Sequence, residues 1–161
     1  MRRLLSCLLV CVQMAVCGCV SSGPQHPITG PGDTVRTMFA RVEAHDWGAA
    51  YDIMSERVLK ETDRRLQSAV QAFGSIGDDE YATKFKKLTG LKGRELLVEF
   101  TKMAYAMQKT PPDLETTVVK EEVNGDRAKV TIKTLKTGRT TVLDMIKEGG
   151  VWKIDTPGFG G

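Results

Sequence analysis

The sequence predicts an α+β domain in which N-terminal helices precede a curved four-stranded antiparallel sheet and pack on it. Two observations lead to this fold class. Apolar residues recur at helical spacing between residues 33 and 108, whereas residues 114–155 alternate between apolar and polar side chains and are divided by turn sequences. A run of helices followed by a run of strands is typical of an α+β domain with its helices on one face of the sheet.

The helical half begins at Asp33, a candidate N-cap, and Asp46 is the candidate N-cap of a short second helix. A third helix ends in the Gly/Asp loop of residues 74–79, a basic segment follows to Gly90, and a last helix covers residues 92–108. The methionines and aromatic residues in these helices lie on apolar stripes and are therefore interpreted as core. The predicted inward-facing side chains are Val35, Met38, Phe39, Val42, Trp47, Ala50, Tyr51, Met54, Val58, Leu59, Leu66, Val70, Phe73, Leu96, Leu97, Phe100, Met103, Ala104 and Met107.

The strand half follows Pro111–Pro112, which closes the last helix. Asn124-Gly125 is the strongest hairpin signal, since a two-residue turn favours this pair. Further turns near Thr137-Gly138 and at Gly149-Gly150 divide the remainder, so that the sequence predicts a four-stranded meander. Trp152 is expected to anchor the last strand in the core.

The N-terminus contains all four cysteines of the chain, within LLSCLLVCVQMAVCGC. Arg2 and Arg3 precede a 13-residue apolar run, which is shorter than the ~20 residues of a membrane-spanning helix. This pattern is typical of a secretory signal peptide. A zinc site and a disulfide framework are both disfavoured, because no cysteine recurs later to complete either one.

The sequence VCGC at residues 16–19 resembles the lipobox of bacterial lipoproteins, in which a small residue precedes the modified cysteine. Only Cys19 has both a small neighbour, Gly18, and a full apolar region before it. Cys11 and Cys17 each follow a valine, and Cys7 leaves too short an apolar region. The resemblance implies a signal peptide at residues 1–18 and lipidation of Cys19. A flexible tether (19–32), a single domain (33–157) and a short flexible tail (158–161) would follow.

Cleavage before Cys19 would remove Arg2 and Arg3 and leave 143 residues with a formal charge of +1 instead of +3. Nucleic acid is therefore not an expected partner. The Ser/Gly/Pro-rich residues 20–32 would span at most ~43 Å when extended. The expected partners are the membrane, through the lipid, and an envelope protein; no metal or other cofactor is expected.

The residue after the lipidated cysteine bears on localisation. Resemblance to sorted lipoproteins implies that an aspartate at this position would hold the protein at the inner membrane, and here it is Val20. We therefore expect an outer-membrane protein that faces the periplasm if the source has two membranes. With a single membrane, the protein would lie on its outer face.

The segments EAHDWGAAYDIMSE, EEVNGDRAKVTI and KEGGVWKID are similar to those of small lipoproteins of the nuclear transport factor 2-like superfamily (also called SnoaL-like or cystatin-like). The resemblance covers about residues 33–155 and implies a cone of helices wrapped by a curved sheet. The superfamily includes dehydratases and isomerases, which place acidic, His or Tyr residues in an apolar cone. This chain departs from the family at His45 and in the longer segment 74–91.

Candidate catalytic residues are few. Asp144 shares a strand face with Val142 and Ile146, and it would be a candidate base if that face lined the cone. An ordinary place on the outer face is favoured, because that face needs polar side chains. Tyr51 and Tyr105 are weak candidates for ligand binding and are commoner as core aromatics. His45 is interpreted as a cation near a helix C-terminus.

A basic cluster stands in KFKKLTGLKGR without an acidic residue. A solvated helix face is the favoured interpretation, and contact with an anionic membrane surface is the functional alternative. Its residues are Lys84, Lys86, Lys87, Lys92 and Arg94.

The sequence thus favours a lipid-anchored, non-catalytic envelope domain that binds a ligand or a protein through its cone or its sheet. One alternative is a small acid-base enzyme centred on the cone cavity. The other is a structural scaffold within an envelope complex. An enclosed cavity that contains a buried Asp144 with a Tyr or His partner would favour the enzyme, and a filled core would favour the scaffold. An open apolar cavity without an ionisable pair would favour binding.

Overall fold

The computed structural model describes residues 29–74, 80–108 and 114–157. The predicted signal peptide, Cys19, residues 20–28 of the predicted tether and the C-terminal tail lie outside them. In these residues, helices precede four strands that form one antiparallel sheet in the order β1-β2-β3-β4. The predicted α+β class and the meander are therefore confirmed. The elements are α1 (Pro31–Glu43), α2 (Trp47–Tyr51), α3 (Glu56–Gly74), α4 (Glu80–Lys86), α5 (Gly93–Met107), β1 (Thr116–Asn124), β2 (Arg127–Thr134), β3 (Thr140–Glu148) and β4 (Val151–Ile154).

Helix α1 packs on one face of the sheet and contacts β1, β2 and β4. Ten buried side chains fill the space between them, and Leu143, Val130 and Ile154 are fully buried. Trp152 belongs to this cluster at 9% exposure, so its predicted place in the core is confirmed. The other members are Val35, Met38, Ile53, Ala128, Ile132 and Met145.

Helices α3, α4 and α5 form a second apolar cluster around Val70, Leu88 and Leu96. The main contacts of α3 are with α4 and α5. The predicted packing of helices on the sheet is therefore correct for α1 and does not apply to this group. The basic segment contains a short helix, α4, at residues Glu80–Lys86. One further expectation was wrong: Phe73, in the last turn of α3, was predicted to face inward and is 54% exposed.

The corner between α1 and α2 uses an exposed histidine in a left-handed conformation. His45 has φ 57°, and its N–H donates to the Val42 carbonyl at 3.0 Å while Asp46 N–H donates to the Arg41 carbonyl at 2.9 Å. These two bonds form a Schellman motif, in which glycine is the usual left-handed residue. Asp46 then accepts from Ala49 N–H at 3.2 Å, which confirms it as the N-cap of α2.

The N-terminus of α1 begins earlier than predicted. Gly30 is the N-cap, and Asp33 lies in the first turn, where its carboxylate accepts from the Thr29 hydroxyl at 2.7 Å. A shift of register after Val118 turns Glu121 toward α1, and its carboxylate accepts from Gly32 N–H at 3.1 Å. A negative charge at a helix N-terminus is stabilising, so Glu121 joins α1 to the edge strand.

The outer edge of β4 is covered by the segment before α3. Ile154 N–H donates to the Ile53 carbonyl at 2.9 Å, and Ser55 N–H donates to the Ile154 carbonyl at 2.8 Å. A parallel bridge joins Met54 to Ile154. The start of α3 is thereby fixed beside the C-terminal end of the sheet.

Among the described residues, the longest helices are too short or too polar to cross a lipid bilayer.

Candidate functional site

A groove of about 590 Å³ opens where the β1–β2 hairpin, β3 and the start of α3 meet. We call it the sheet groove. Six charged residues, three basic and three acidic, dominate its lining: Arg57, Arg127, Lys129, Glu122, Asp144 and Asp155. The site is therefore an open surface feature with both signs of charge, in contrast to the apolar cone cavity that the sequence resemblance implied.

Ser55, which is fully buried, positions the groove-lining residue Asp155. Its hydroxyl donates to Asp155 Oδ1 at 2.6 Å and accepts from Val58 N–H at 3.2 Å, so that Ser55 caps α3 and holds Asp155 at the same time. Arg57 adds a bond from Nε to Asp155 Oδ1 at 3.0 Å and one from Nη2 to the Asp155 carbonyl at 2.7 Å. The first turn of α3 and the end of β4 are thus locked together.

The environment of Asp155 keeps its carboxyl ionised. Burial raises the pKa of Asp155, but hydrogen bonds from Arg57 and Ser55, together with the charges of Arg57 and Arg127, outweigh burial. The pKa of Asp155 therefore lies below its ordinary value. A carboxylate held in this way is suited to charge pairing, and it is poorly suited to proton transfer near neutral pH.

The floor of the sheet groove carries charges in a cross-strand row. Glu122 on β1 lies opposite Lys129 on β2, and Lys129 lies opposite Asp144 on β3. Opposite charges in this arrangement stabilise neighbouring strands. Hydrogen bonding to Lys120, with a smaller effect of Lys129, lowers the pKa of Glu122. The row thus presents alternating charges to any partner that enters the groove.

Replacing Asp155 by asparagine should lower the free energy of unfolding at pH 7 by about 1–3 kcal/mol, because hydrogen bonds to a charged group are lost. The native protein should also lose stability in acid: since folding lowers the pKa of Asp155, its contribution is present above the unfolded value of about 4. That contribution disappears as the pH falls through the folded value. Urea unfolding at pH 7 and pH 3 measures both effects, and Asp155→Asn should reduce the pH dependence.

Asp52→Asn is the matched control for that experiment. Asp52 pairs with Arg94 at 2.9 Å, but its side chain is 64% exposed, so we expect a loss below about 1 kcal/mol. Equal losses of unfolding free energy for the two variants would show that the contacts of Asp155 with Ser55 and Arg57 stabilise the fold no more than an exposed ion pair does.

Asp144 lies on the exposed face of β3, between the buried Leu143 and Met145. It lines the sheet groove, and its backbone N–H donates to Thr156 Oγ1 at 2.7 Å. The burial that would make it a base is therefore missing. No tyrosine or histidine is among the described residues that line the groove with it.

The two candidate tyrosines, Tyr51 and Tyr105, lie in different places. The Tyr51 hydroxyl is 2.5 Å from Thr101 Oγ1, beside a small pocket of about 140 Å³. Burial raises the pKa of Tyr51, and the hydrogen bond with Thr101 opposes this effect more weakly. The pKa of Tyr51 therefore lies further above neutrality than that of an exposed tyrosine. The Tyr105 ring packs against the rings of His45 and Trp47, with centroids 4.8 and 5.2 Å away. The structure does not bring either tyrosine together with Asp144.

The basic cluster at residues 84–94 is partly neutralised. Arg94 forms two bonds with the Asp52 carboxylate, at 3.1 and 2.9 Å. Lys84 and Lys86 also have interaction partners. Lys87 and Lys92 are exposed. The cluster is therefore a weaker continuous cationic surface than the sequence suggested.

The residues that shape the sheet groove, Ser55, Arg57 and Asp155, were missed in the sequence. Ser55 and Asp155 are 100 positions apart, and neither belongs to a recognisable motif. A serine directly before a predicted helix is an N-cap signal, and this was the only local indication of its role.

The described residues contain no group of three or more His, Cys, Asp and Glu side chains placed to hold a metal ion. Comparison of the chain with protein-family models, with curated proteins and with solved structures gave no match.

Proposed function

We propose that the chain is a lipid-anchored cell-envelope protein whose domain binds a partner without catalysis, through the sheet groove. The anchor is the acylated Cys19, supported by the lipobox-like VCGC and by the apolar region before it. Val20 after this cysteine supports an outer-membrane location facing the periplasm in a source with two membranes.

The balanced charge of the sheet groove is the observation that carries the binding proposal. Three cations and three carboxylates line an open space, while the interior between α1 and the sheet is filled by side chains. A surface with both signs of charge fits a partner that also carries both, such as a polar segment of another envelope protein, because complementary charges give specificity.

The acid-base enzyme is less well supported. Its candidate base, Asp144, is exposed, and its candidate tyrosines lie outside the sheet groove. The filled core supports the scaffold alternative, which differs from our proposal only in whether the partner engages the groove. Both predict a protein complex, so the location of the contact distinguishes them.

We also propose a nuclear transport factor 2-like ancestry for the domain. The order of helices followed by an antiparallel meander supports it, as does the packing of α1 on one face of the sheet. The separate core of α3, α4 and α5 is the point at which this chain differs from a simple cone.

Site-specific photo-cross-linking in growing cells tests the binding proposal. A cross-linking residue in place of Lys129, in the sheet groove, should give a discrete protein adduct, whereas one in place of Arg64, an exposed residue of α3, should not. Arg127→Glu should abolish the adduct at position 129, because Lys129 is already replaced and this change leaves Arg57 against four carboxylates among the charged residues that line the groove. Equal adducts at both positions, or an adduct insensitive to Arg127→Glu, would favour the scaffold.

A further inference from the structure

The turn between β2 and β3 carries cations that are not balanced by acids. Residues 127–143 contain five Lys and Arg residues and no Asp or Glu. Three of the cations, Lys133, Lys136 and Arg139, are exposed at the turn and form no salt bridge with any residue that the structure describes. Together with Leu135 we call them the hairpin tip. Even with the neighbouring Glu115 counted, cations exceed acids there by two.

Leu135 is held in an exposed position by hydrogen bonds. Its N–H donates to the Glu115 carbonyl at 2.8 Å, and the turn is closed by bonds from Thr134 N–H to Arg139 and from Gly138 N–H to Thr134, at 2.9 and 2.8 Å. The leucine nevertheless remains 56% exposed. An exposed apolar side chain in a turn that also carries exposed cations has the chemistry of a surface that binds anionic bilayers, in which the apolar group enters the interface and the cations meet phosphates.

The basic cluster at residues 84–94 is the alternative surface, but three of its five cations are already engaged. In that cluster Arg94 is paired with Asp52, and Lys84 and Lys86 are engaged. The mature chain would carry a formal charge of only +1, so attraction to an anionic surface has to come from a local excess of cations. The hairpin tip supplies such an excess, because none of its three cations forms a salt bridge with a residue that the structure describes.

The position of the hairpin tip is compatible with a lipid anchor on the same chain. Helix α1 starts beside Glu121, which lies opposite Val130 on β2. Leu135 is five residues further along, or about 17 Å at the rise of a strand. The eleven residues 20–30 between the anchor and α1 can span up to about 36 Å. The tip can therefore reach the membrane that holds the acyl chains.

We propose that the hairpin tip docks on the anionic surface of the bilayer to which the chain is anchored, and thereby sets the orientation of the domain on the membrane. The proposal rests on the lipid anchor of the proposed function. It assigns Lys133, Lys136 and Arg139 to lipid phosphates and Leu135 to the interface. In this arrangement the hairpin tip binds the membrane and the sheet groove binds the protein partner.

Fluorescence quenching by brominated lipids tests the docking. The acylated protein with Leu135→Trp is reconstituted into vesicles of phosphatidylcholine, alone or mixed with phosphatidylglycerol. Trp47 and Trp152 are 7% and 9% exposed, and the parent protein supplies their background. We expect quenching of the new tryptophan in the mixed vesicles and its loss in pure phosphatidylcholine. The triple change Lys133→Gln, Lys136→Gln and Arg139→Gln should remove it, as should high salt, which screens the charges.

Phe73→Trp is the matched control, since Phe73 is 54% exposed and lies beside the basic cluster. Quenching at position 73 with none at position 135 would overturn the proposal, and so would equal quenching in both kinds of vesicle. The anchor is judged separately by mass. If the protein is acylated but the tryptophan at position 135 is not quenched, the docking is refuted and the anchor stands. If the protein carries no acyl chains but the tryptophan is quenched, the anchor is refuted and binding of the tip to the bilayer stands.

Discussion

Replacing Trp152 by alanine is expected to lower the free energy of unfolding by about 3–5 kcal/mol, as large aromatic truncations in cores do. Trp152 belongs to the cluster between α1 and the sheet, and the Lys147 ammonium lies 5.7 Å from the centre of its ring. Alanine would leave a cavity among fully buried residues such as Leu143 and Ile154. A loss of this size is a large share of the 5–15 kcal/mol typical of a domain. Urea unfolding followed by circular dichroism measures it.

Val151→Ala is the control on the same strand. Val151 precedes Trp152, points to the opposite face and is 49% exposed, so we expect a change within about 0.5 kcal/mol. Similar denaturant midpoints for the two variants would mean that the assignment of faces on β4 is wrong.

The sheet was predictable from the sequence because its signals are local. The Asn-Gly signal places the first hairpin correctly, although the two turn residues are Gly125 and Asp126, between the paired Asn124 and Arg127. Gly125 has a left-handed φ of 60°, and a glycine at the first position of a two-residue turn is typical of hairpins. The register shift after Val118 could not be predicted, since a strict two-residue period would turn Lys120 toward α1 in place of Glu121. The pairing of β1 with β2 determines whether Lys120 or Glu121 faces α1, and a single strand sequence does not contain that information.

The helical half was predicted less completely. The bounds of helix α4 could not be predicted, because its seven residues are too few to show an apolar stripe at helical spacing. Phe73 continues the helical period of α3, but the exposed fraction of its ring depends on where the neighbouring helices end. Periodicity identifies a face of a helix, and it carries no information about the length over which a partner covers that face.

The candidate site depends on contacts across the chain. The hydrogen bond between Ser55 and Asp155 joins residues 100 positions apart, and a single sequence carries no trace of such a pair. The hairpin tip was missed for a different reason. Its cations are separated by uncharged residues in a strand and a turn, so that no pair of adjacent basic residues marks them in the sequence.

Replacing Cys19 by alanine is expected to abolish acylation completely. The thiol of Cys19 is the predicted attachment point, and each buried CH₂ of an acyl chain contributes about 0.8 kcal/mol to membrane binding. Several chains therefore anchor a protein firmly, and the variant should accumulate as uncleaved precursor or as soluble protein. Metabolic labelling with an alkyne fatty acid measures the loss directly.

Cys17→Ala is the matched control, because Cys17 is predicted to be removed with the signal peptide. This variant should keep the label. Val20→Asp should also keep it, while moving the protein from the outer to the inner membrane in a source with two membranes. Label that is lost in Cys17→Ala and kept in Cys19→Ala would move the attachment point, and an unchanged location of Val20→Asp would refute the sorting proposal.

Intact mass and N-terminal peptide analysis of the protein extracted from its native membranes tests the central proposal most directly. Our account predicts a mature chain that begins at Cys19, lacks residues 1–18 and carries acyl chains on that residue. A mature chain that begins elsewhere, or one whose Cys19 is unmodified, would contradict the lipid anchor and with it the proposed place of the protein in the envelope.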